Sequence, residues 1–173
     1  MRISDYFFVD AKKILSPNFS EREKNIDLIV LHSISLPEGE YDNDNVEDLF
    51  MNKLNFDLHS SFQGLRNVKV SAHLYVKRDG TIIQFVPFNK CAWHAGESIF
   101  KGRKNCNEFS IGIEIQGKVD EEYTREQYEN LKKIVDALKK FFQLNDVVAH
   151  SEISPERKKD PGPLFDWSKL DEN

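Results

Sequence analysis

Residues 26–33, IDLIVLHS, are a short apolar run that ends close to a histidine, and this pattern is typical of a buried β-strand. SIGIEIQG, residues 110–117, is a second run of the same kind. VSAHLYVKRDGTIIQFVPF, residues 70–88, contains two β-rich runs around an Arg-Asp-Gly turn, which predicts a hairpin. DVVAH, residues 146–150, predicts one more short strand.

Helical periodicity is clearest in residues 124–143, and a shorter helix is predicted for residues 46–54, VEDLFMNKL. In the long segment, apolar side chains recur at steps of three and four: Tyr128, Leu131, Val135, Leu138 and Phe142. Thr124 and Gln127 have the spacing of a capping box at its start. Loops are predicted for residues 35–45, 91–109 and 151–163. The pattern predicts an α/β (α+β) fold, a central mixed β-sheet flanked by helices.

Length and composition favour one globular domain over residues 1–173, with its motifs in residues 27–163. A net charge of −5 argues against nucleic-acid binding, and no apolar run is long enough to cross a membrane. The N-terminus lacks the features of a signal peptide, so we expect a cytoplasmic protein. Cys91 and Cys106 are then expected to be free thiols.

Two histidines stand where an apolar strand gives way to a loop, and such positions hold reactive side chains in a fixed place. They are His32 and His150; Asp160 follows ten residues after the second, in a Pro-Gly turn. Two histidines and a carboxylate are a ligand set of open catalytic zinc sites. Spacing alone is weak evidence, because a lone histidine is more often a core residue and Asp160 alone is more simply a turn carboxylate.

Glu114 lies among isoleucines in its strand, and a carboxylate buried there needs either a partner or a function. It either pairs with a buried Lys or Arg or acts as the general base of the site. Lys158 either stabilises a developing oxyanion or is a solvated side chain, like its neighbours Arg157 and Lys159.

Taken together, four ordered segments resemble the AmpD-type N-acetylmuramoyl-L-alanine amidases, cytoplasmic enzymes of bacterial cell-wall recycling. The wider group includes a phage lysozyme and the peptidoglycan recognition proteins. The resemblance runs from about Asp27 to Pro163. It is carried by LHSISLPEGEY, VSAHLYVKRDGTIIQFVPF, AWHAGESIFKGRKNCNEFSIGIEIQG and AHSEISPERKKDPGP.

This resemblance implies one zinc ion, in a cleft at the ends of the strands, bound by His32, His150 and Asp160. It implies Glu114 as the acidic catalytic residue and Lys158 as the residue that stabilises the tetrahedral intermediate. The implied reaction is hydrolysis of the amide between the lactyl group of N-acetylmuramic acid and L-alanine. The implied substrate is a small muropeptide carrying the 1,6-anhydro sugar, and we expect a monomer.

Substrate contacts are implied for Trp93 and His94, which line the cleft in relatives, whereas His73 is interpreted as a structural residue under the site. Ser33, Lys69 and Asn105 depart from the usual residues of close relatives. Ser33 and Lys69 are expected to contact substrate, so these departures affect the sugar and peptide contacts. Two alternatives stay open: an amidase that acts on the intact wall, in the periplasm or as a phage endolysin, and a non-catalytic peptidoglycan-binding module.

Overall fold

The computed structural model describes residues 1–171 and is built around a six-stranded β-sheet. The strands of the described residues, in and outside this sheet, are β1 (Ile3–Ser4), β2 (Phe7–Phe8), β3 (Lys12–Lys13), β4 (Phe19–Glu21), β5 (Leu28–Ile34), β6 (Leu74–Val76), β7 (Ile82–Gln84), β8 (Lys90–Ala92), β9 (Ile99–Phe100), β10 (Arg103–Lys104), β11 (Ser110–Gln116) and β12 (Asp146–Ala149). Its helices are α1 (Asn45–Phe50), α2 (Arg125–Phe142), α3 (His150–Ile153) and α4 (Ser168–Asp171), with 3-10 turns at Ser60–Leu65 and Cys106–Glu108.

The central sheet is mixed, as predicted, with the strand order β12-β5-β11-β6-β7-β3. Neighbouring strands are parallel except for β6 and β7, which form the predicted antiparallel hairpin. The two apolar runs that predicted buried strands, β5 and β11, lie side by side in its middle. The prediction of one domain with a mixed sheet and flanking helices is therefore confirmed.

Helix α2 packs its apolar stripe onto one face of this sheet. Leu131, Val135 and Leu138 are buried, and Tyr128 and Phe142 pack partly buried against the same core. The helix begins after Thr124, whose hydroxyl accepts a hydrogen bond from the Gln127 amide, and Gln127 reaches back to complete the predicted capping box. The periodicity of residues 124–143 thus predicted both the helix and its buried face.

Strand β11 alternates between the two faces of the sheet, although every one of its residues is buried. Ile111, Ile113 and Ile115 belong to the core under α2. Alternation places Glu114 on the opposite face, where it lies in register with His32 of β5. The strand therefore delivers one carboxylate into the site while its isoleucines hold the sheet to α2.

Two predicted boundaries and one predicted loop are corrected by the structure. The helix expected over residues 46–54 ends at Phe50, because Asn52 adopts a left-handed backbone with φ of 57° that a helix cannot continue. The strand expected over residues 146–150 ends one residue early, and His150 begins the single turn of α3. The closing segment, residues 151–163, is therefore not wholly irregular.

The segment expected to be a long loop, residues 91–109, contains short strands. β9 and β10 form a hairpin whose turn residues, Lys101 and Gly102, both have positive φ. β8 pairs with β4 from the N-terminal region, for which no element was predicted. Such short strands are defined by partners far away in the chain, so local periodicity does not reveal them.

Several other predictions concern the chain as a whole. Cys91 and Cys106 are buried free thiols. Within residues 1–171, no helix is both long and apolar enough to cross a membrane. The predicted domain, residues 1–173, includes residues 172 and 173, which lie outside the described residues.

Candidate metal centre

The candidate ligands come together because β5 and β12 are parallel neighbours. Ala149 lies beside Leu31 in the register of this pair, so the next residues, His32 and His150, emerge side by side. Asp160 returns to them in the loop after α3, where the Ser151 amide donates to its carbonyl oxygen at 3.1 Å. Residues far apart in sequence thus meet at one end of the sheet.

Three potential ligand atoms converge at this point. The Nδ1 atoms of His32 and His150 are 2.8 Å apart, and Asp160 Oδ2 lies 3.5 Å and 3.1 Å from them, respectively. The three residues are almost inaccessible, with exposed fractions of 1%, 3% and 9%. This group has the donor set and the spacing to hold one metal ion.

The electrostatics of the group favour a bound cation. Burial lowers the pKa of His32 to about 4, although the neighbouring Asp160 carboxylate acts in the opposite direction. Burial alone would raise the pKa of Asp160, but the neighbouring rings of His150 and His32 outweigh it and hold that pKa well below its usual range. His150 donates from Nε2 to the Ala95 carbonyl at 3.2 Å, so the lone pair of a neutral ring, which a metal ligand requires, would lie on its inward Nδ1. One carboxylate and two imidazole nitrogens thus face one another.

Glu114 lies directly beside the candidate ligands. Its Oε1 is 3.9 Å from His32 Nδ1, and its buried Oε2 has no hydrogen-bond partner. Burial, followed by the charge of Asp160, raises the pKa of Glu114 well above its usual value. Among the ion pairs within residues 1–171, none joins Glu114 to a lysine or an arginine, which argues against the purely structural interpretation.

Lys158 lies in the wall of the same cavity, which has a volume of about 240 Å³. Glu114, Ser33 and Trp93 also line it. The positive charge of Lys158 opposes the effect of burial on the pKa of Glu114, so the two groups are near enough to interact. Lys158 is half-buried, in contrast with the exposed Lys159 beside it.

The predicted substrate contacts lie in three different places. His94 borders the cavity, but the residue is only 8% exposed and its Nδ1 lies 2.9 Å from His32 Nε2. Lys69 is not part of this cavity; it lines a separate one of about 330 Å³ together with Arg66. The structure therefore places Ser33 and Trp93 in the cavity, His94 behind a candidate ligand, and Lys69 in a neighbouring pocket.

His73, interpreted as a structural residue, is fully buried beneath the site. Its Nδ1 accepts a hydrogen bond from the Gly112 amide at 3.1 Å, and its Nε2 lies 3.0 Å from the Lys90 carbonyl. Burial, followed by the charge of Arg22, lowers the pKa of His73 to about 3. Both ring nitrogens are thus used inside the protein.

Sequence reasoning missed the groups that hold the segment after β8 in place. Asn107 Oδ1 accepts hydrogen bonds from the amides of His94 and Ala95, at 3.0 Å and 2.8 Å. The Arg157 guanidinium donates to the Ala95 carbonyl at 3.0 Å. Polar contacts with backbone groups leave no periodic signal in a sequence, so these residues resembled ordinary loop residues.

A larger cavity of about 480 Å³ adjoins the first and shares Ser33, Ile34, Leu36 and Leu65 with it. Its other walls come from the loop at residues 35–45, from His59 and Ser61, and from the segment at residues 117–119. The two cavities together form a cleft of the size that binds small ligands.

The chain matches known proteins over nearly its whole length. A family model described as N-acetylmuramoyl-L-alanine amidase matches residues 22–163. The 1,6-anhydro-N-acetylmuramyl-L-alanine amidase AmpD of Citrobacter freundii is 41% identical over 174 residues, which cover 98% of this chain and 93% of that protein.

Solved structures agree with the sequence matches. The crystal structure of a selenomethionine derivative of AmpD has a TM-score of 0.97 at 40% identity, covering 99% of this chain and 98% of that one. The amidase AmiD of E. coli, solved in complex with the substrate anhydro-N-acetylmuramic acid-L-Ala-D-γ-Glu-L-Lys, has a TM-score of 0.61 at 29% identity. That match covers 84% of this chain and 56% of the AmiD chain.

Proposed function

Because this chain belongs to the N-acetylmuramoyl-L-alanine amidase family, we propose that it is a zinc-dependent enzyme that cuts the amide between the lactyl group of N-acetylmuramic acid and L-alanine. The observation that carries the proposal is the position of Glu114. Its carboxylate lies 3.9 Å from a candidate metal-binding nitrogen and has an unpartnered oxygen in a buried cavity. A purely structural carboxylate would be expected to have a partner for that oxygen.

The ligand group fits zinc. Zinc bonds of about 2.0–2.1 Å in a tetrahedron place neighbouring ligand atoms roughly 3.3 Å apart. The three separations among His32, His150 and Asp160 are 2.8, 3.1 and 3.5 Å. The set would supply three protein ligands, the number that catalytic zinc sites take from the protein. A zinc ion held there would supply Lewis acidity, which acidifies water and polarises a carbonyl group.

Glu114 is the proposed general base. Its free Oε2 accepts the proton of the attacking water and afterwards returns it to the nitrogen of the leaving L-alanine. Its burial excludes competing solvent, and the isoleucines on either side of it in β11 keep the carboxylate at one position beside His32. The half-buried Lys158 ammonium offsets the negative charge that develops on the carbonyl oxygen.

We propose a soluble muropeptide with a 1,6-anhydro sugar as the substrate, in peptidoglycan recycling. Support comes from the 41% identity to the AmpD of Citrobacter freundii, which is described as a 1,6-anhydro-N-acetylmuramyl-L-alanine amidase. The related AmiD was solved with an anhydro-muropeptide. The adjoining 480 Å³ cavity adds room beside the catalytic cavity for the rest of such a substrate. A cytoplasmic location and a monomeric state remain predictions from the sequence.

Intact cell wall is the alternative substrate, and a direct comparison decides between the two. We expect the protein to release peptide beginning with L-alanine from a purified anhydro-muropeptide, and to release little from intact sacculi at the same enzyme concentration. Faster release from sacculi would favour the wall-acting alternative. Binding to either material without any release would favour a non-catalytic module.

Replacing Lys158 by Met (Lys158→Met) is expected to lower kcat by about 10² to 10³, the usual cost of losing one group that stabilises an oxyanion. Zinc content should be unchanged, because Lys158 is not a ligand. Lys159→Met serves as the matched control, since Lys159 is the exposed neighbour. A Lys158→Met enzyme with near-normal turnover would remove Lys158 from the mechanism.

A further inference from the structure

Both ring nitrogens of His94 are engaged by other groups of the protein. Nδ1 lies 2.9 Å from His32 Nε2, and Nε2 lies 3.1 Å from the hydroxyl oxygen of Ser110. The rings of His94 and His32 meet edge to face, with centroids 4.9 Å apart. No ring nitrogen of His94 is left for a hydrogen bond to a sugar or a peptide.

His32, His94 and Ser110 form a chain of hydrogen bonds that ends at the Cys106 carbonyl. Because a carbonyl can only accept, the end of the chain determines which atom donates in each bond. The Ser110 hydroxyl lies 2.6 Å from the Cys106 carbonyl, which can only accept, so the hydroxyl donates there. The Ser110 oxygen then accepts from His94 Nε2–H. A neutral imidazole has only one N–H, so His94 Nδ1 must accept from His32 Nε2–H. The lone pair of His32 is thereby left on Nδ1, the atom that faces His150 and Asp160.

We propose that His94 and Ser110 are positioning residues that hold His32 in the tautomer and ring orientation needed to bind the metal. This inference rests on the proposed metal-dependent function. Histidine ligands commonly donate their outer N–H to a second group, and that contact determines which nitrogen is free for the metal. Here the second group is itself an imidazole, whose own tautomer is determined by Ser110.

The surrounding fold holds the His94 ring in one place. The ring packs against the backbone of Gly112, where a Cβ atom would lie only 2.2 Å from its Cγ, so no larger residue fits without displacing it. Asn107 holds the backbone amides of His94 and Ala95. Since the Ala95 carbonyl accepts from His150 Nε2, two consecutive residues orient both candidate histidine ligands from behind.

Variants at His94 and Ser110 test the proposal by zinc affinity, measured in competition with a chromophoric chelator. His94→Phe removes the acceptor and is expected to weaken zinc binding by about 10- to 100-fold. His94→Gln should recover most of that loss, because its amide oxygen can accept from His32 and its NH2 group can donate to Ser110. Ser110→Ala should weaken binding by about two- to tenfold, the value of one hydrogen bond. Ser60→Ala, at an exposed serine, is the control.

A second readout needs neither metal nor substrate, so it separates failure of this inference from failure of the proposed function. Nitrogen-15 NMR of the metal-free protein should report His32 as the Nε2–H tautomer, and a mixture of tautomers in Ser110→Ala and His94→Phe. An Nδ1–H tautomer in the wild type would overturn the proposal. Unchanged zinc affinity in a folded His94→Phe would also overturn it. If His94→Phe does not fold, unchanged zinc affinity in Ser110→Ala would do the same. A rise in KM alone would make His94 a substrate contact instead.

Discussion

Replacing Glu114 by Gln (Glu114→Gln) is expected to lower kcat by about 10² to 10⁴ while zinc stays bound, because an amide cannot take the proton of the attacking water. Glutamine has almost the same shape, so the packing beside His32 should persist. The measurements are kcat on an anhydro-muropeptide and zinc content by atomic absorption. Glu156→Gln is the control, since Glu156 is exposed on the closing segment. Turnover within tenfold of the wild type would exclude Glu114 as the general base.

The same substitution should stabilise the metal-free protein. The Glu114 carboxylate is buried with an unpartnered Oε2, and the charge of Asp160 opposes its ionisation. A neutral side chain removes that unfavourable interaction. We therefore expect a higher Tm for metal-free Glu114→Gln than for the metal-free wild type at neutral pH. A lower Tm would indicate that Glu114 contributes to stability and not only to catalysis.

Replacing Asp160 by Ala (Asp160→Ala) is expected to abolish zinc binding and turnover together. The change removes the only carboxylate of the proposed ligand set, His32, His150 and Asp160. Losing a direct ligand should weaken zinc binding by more than the roughly 100-fold that follows removal of a residue hydrogen-bonded to a ligand. The measurement is zinc stoichiometry after dialysis, with the rise of Tm on zinc addition as a second readout.

Asp120→Ala provides the matched control for that experiment, because Asp120 is exposed. It should bind zinc and raise its Tm on zinc addition as the wild type does. If Asp160→Ala retained zinc at full stoichiometry, the ligand assignment would be wrong. If it lost zinc but kept its turnover, the metal would not take part in the reaction.

Local patterns in the sequence predicted the elements whose own residues determine them. The capping box and apolar stripe of α2 are local features, and both were confirmed. The apolar runs of β5 and β11 likewise predicted buried strands. The N-terminal strands and the pairing of β4 with β8 depend on distant partners and were missed.

In the site, too, local patterns were informative only where distant residues were not involved. Spacing alone made His32, His150 and Asp160 a weak hypothesis, because the register of β5 with β12 that joins the histidines cannot be seen in a local pattern. The family resemblance supplied that non-local information. It did not reveal that Lys69 lines a different cavity or that both nitrogens of His94 are already engaged, since those facts depend on side-chain contacts in this fold.

Mass spectrometry of the products from an anhydro-muropeptide, with and without a chelator, tests whether this protein is a zinc-dependent amidase. We expect a free stem peptide beginning with L-alanine and a free muramic acid sugar. Both should disappear when the protein is stripped of metal and return on addition of zinc. Cleavage at a different bond would contradict the proposed reaction, and undiminished release in the presence of the chelator would contradict its dependence on a metal.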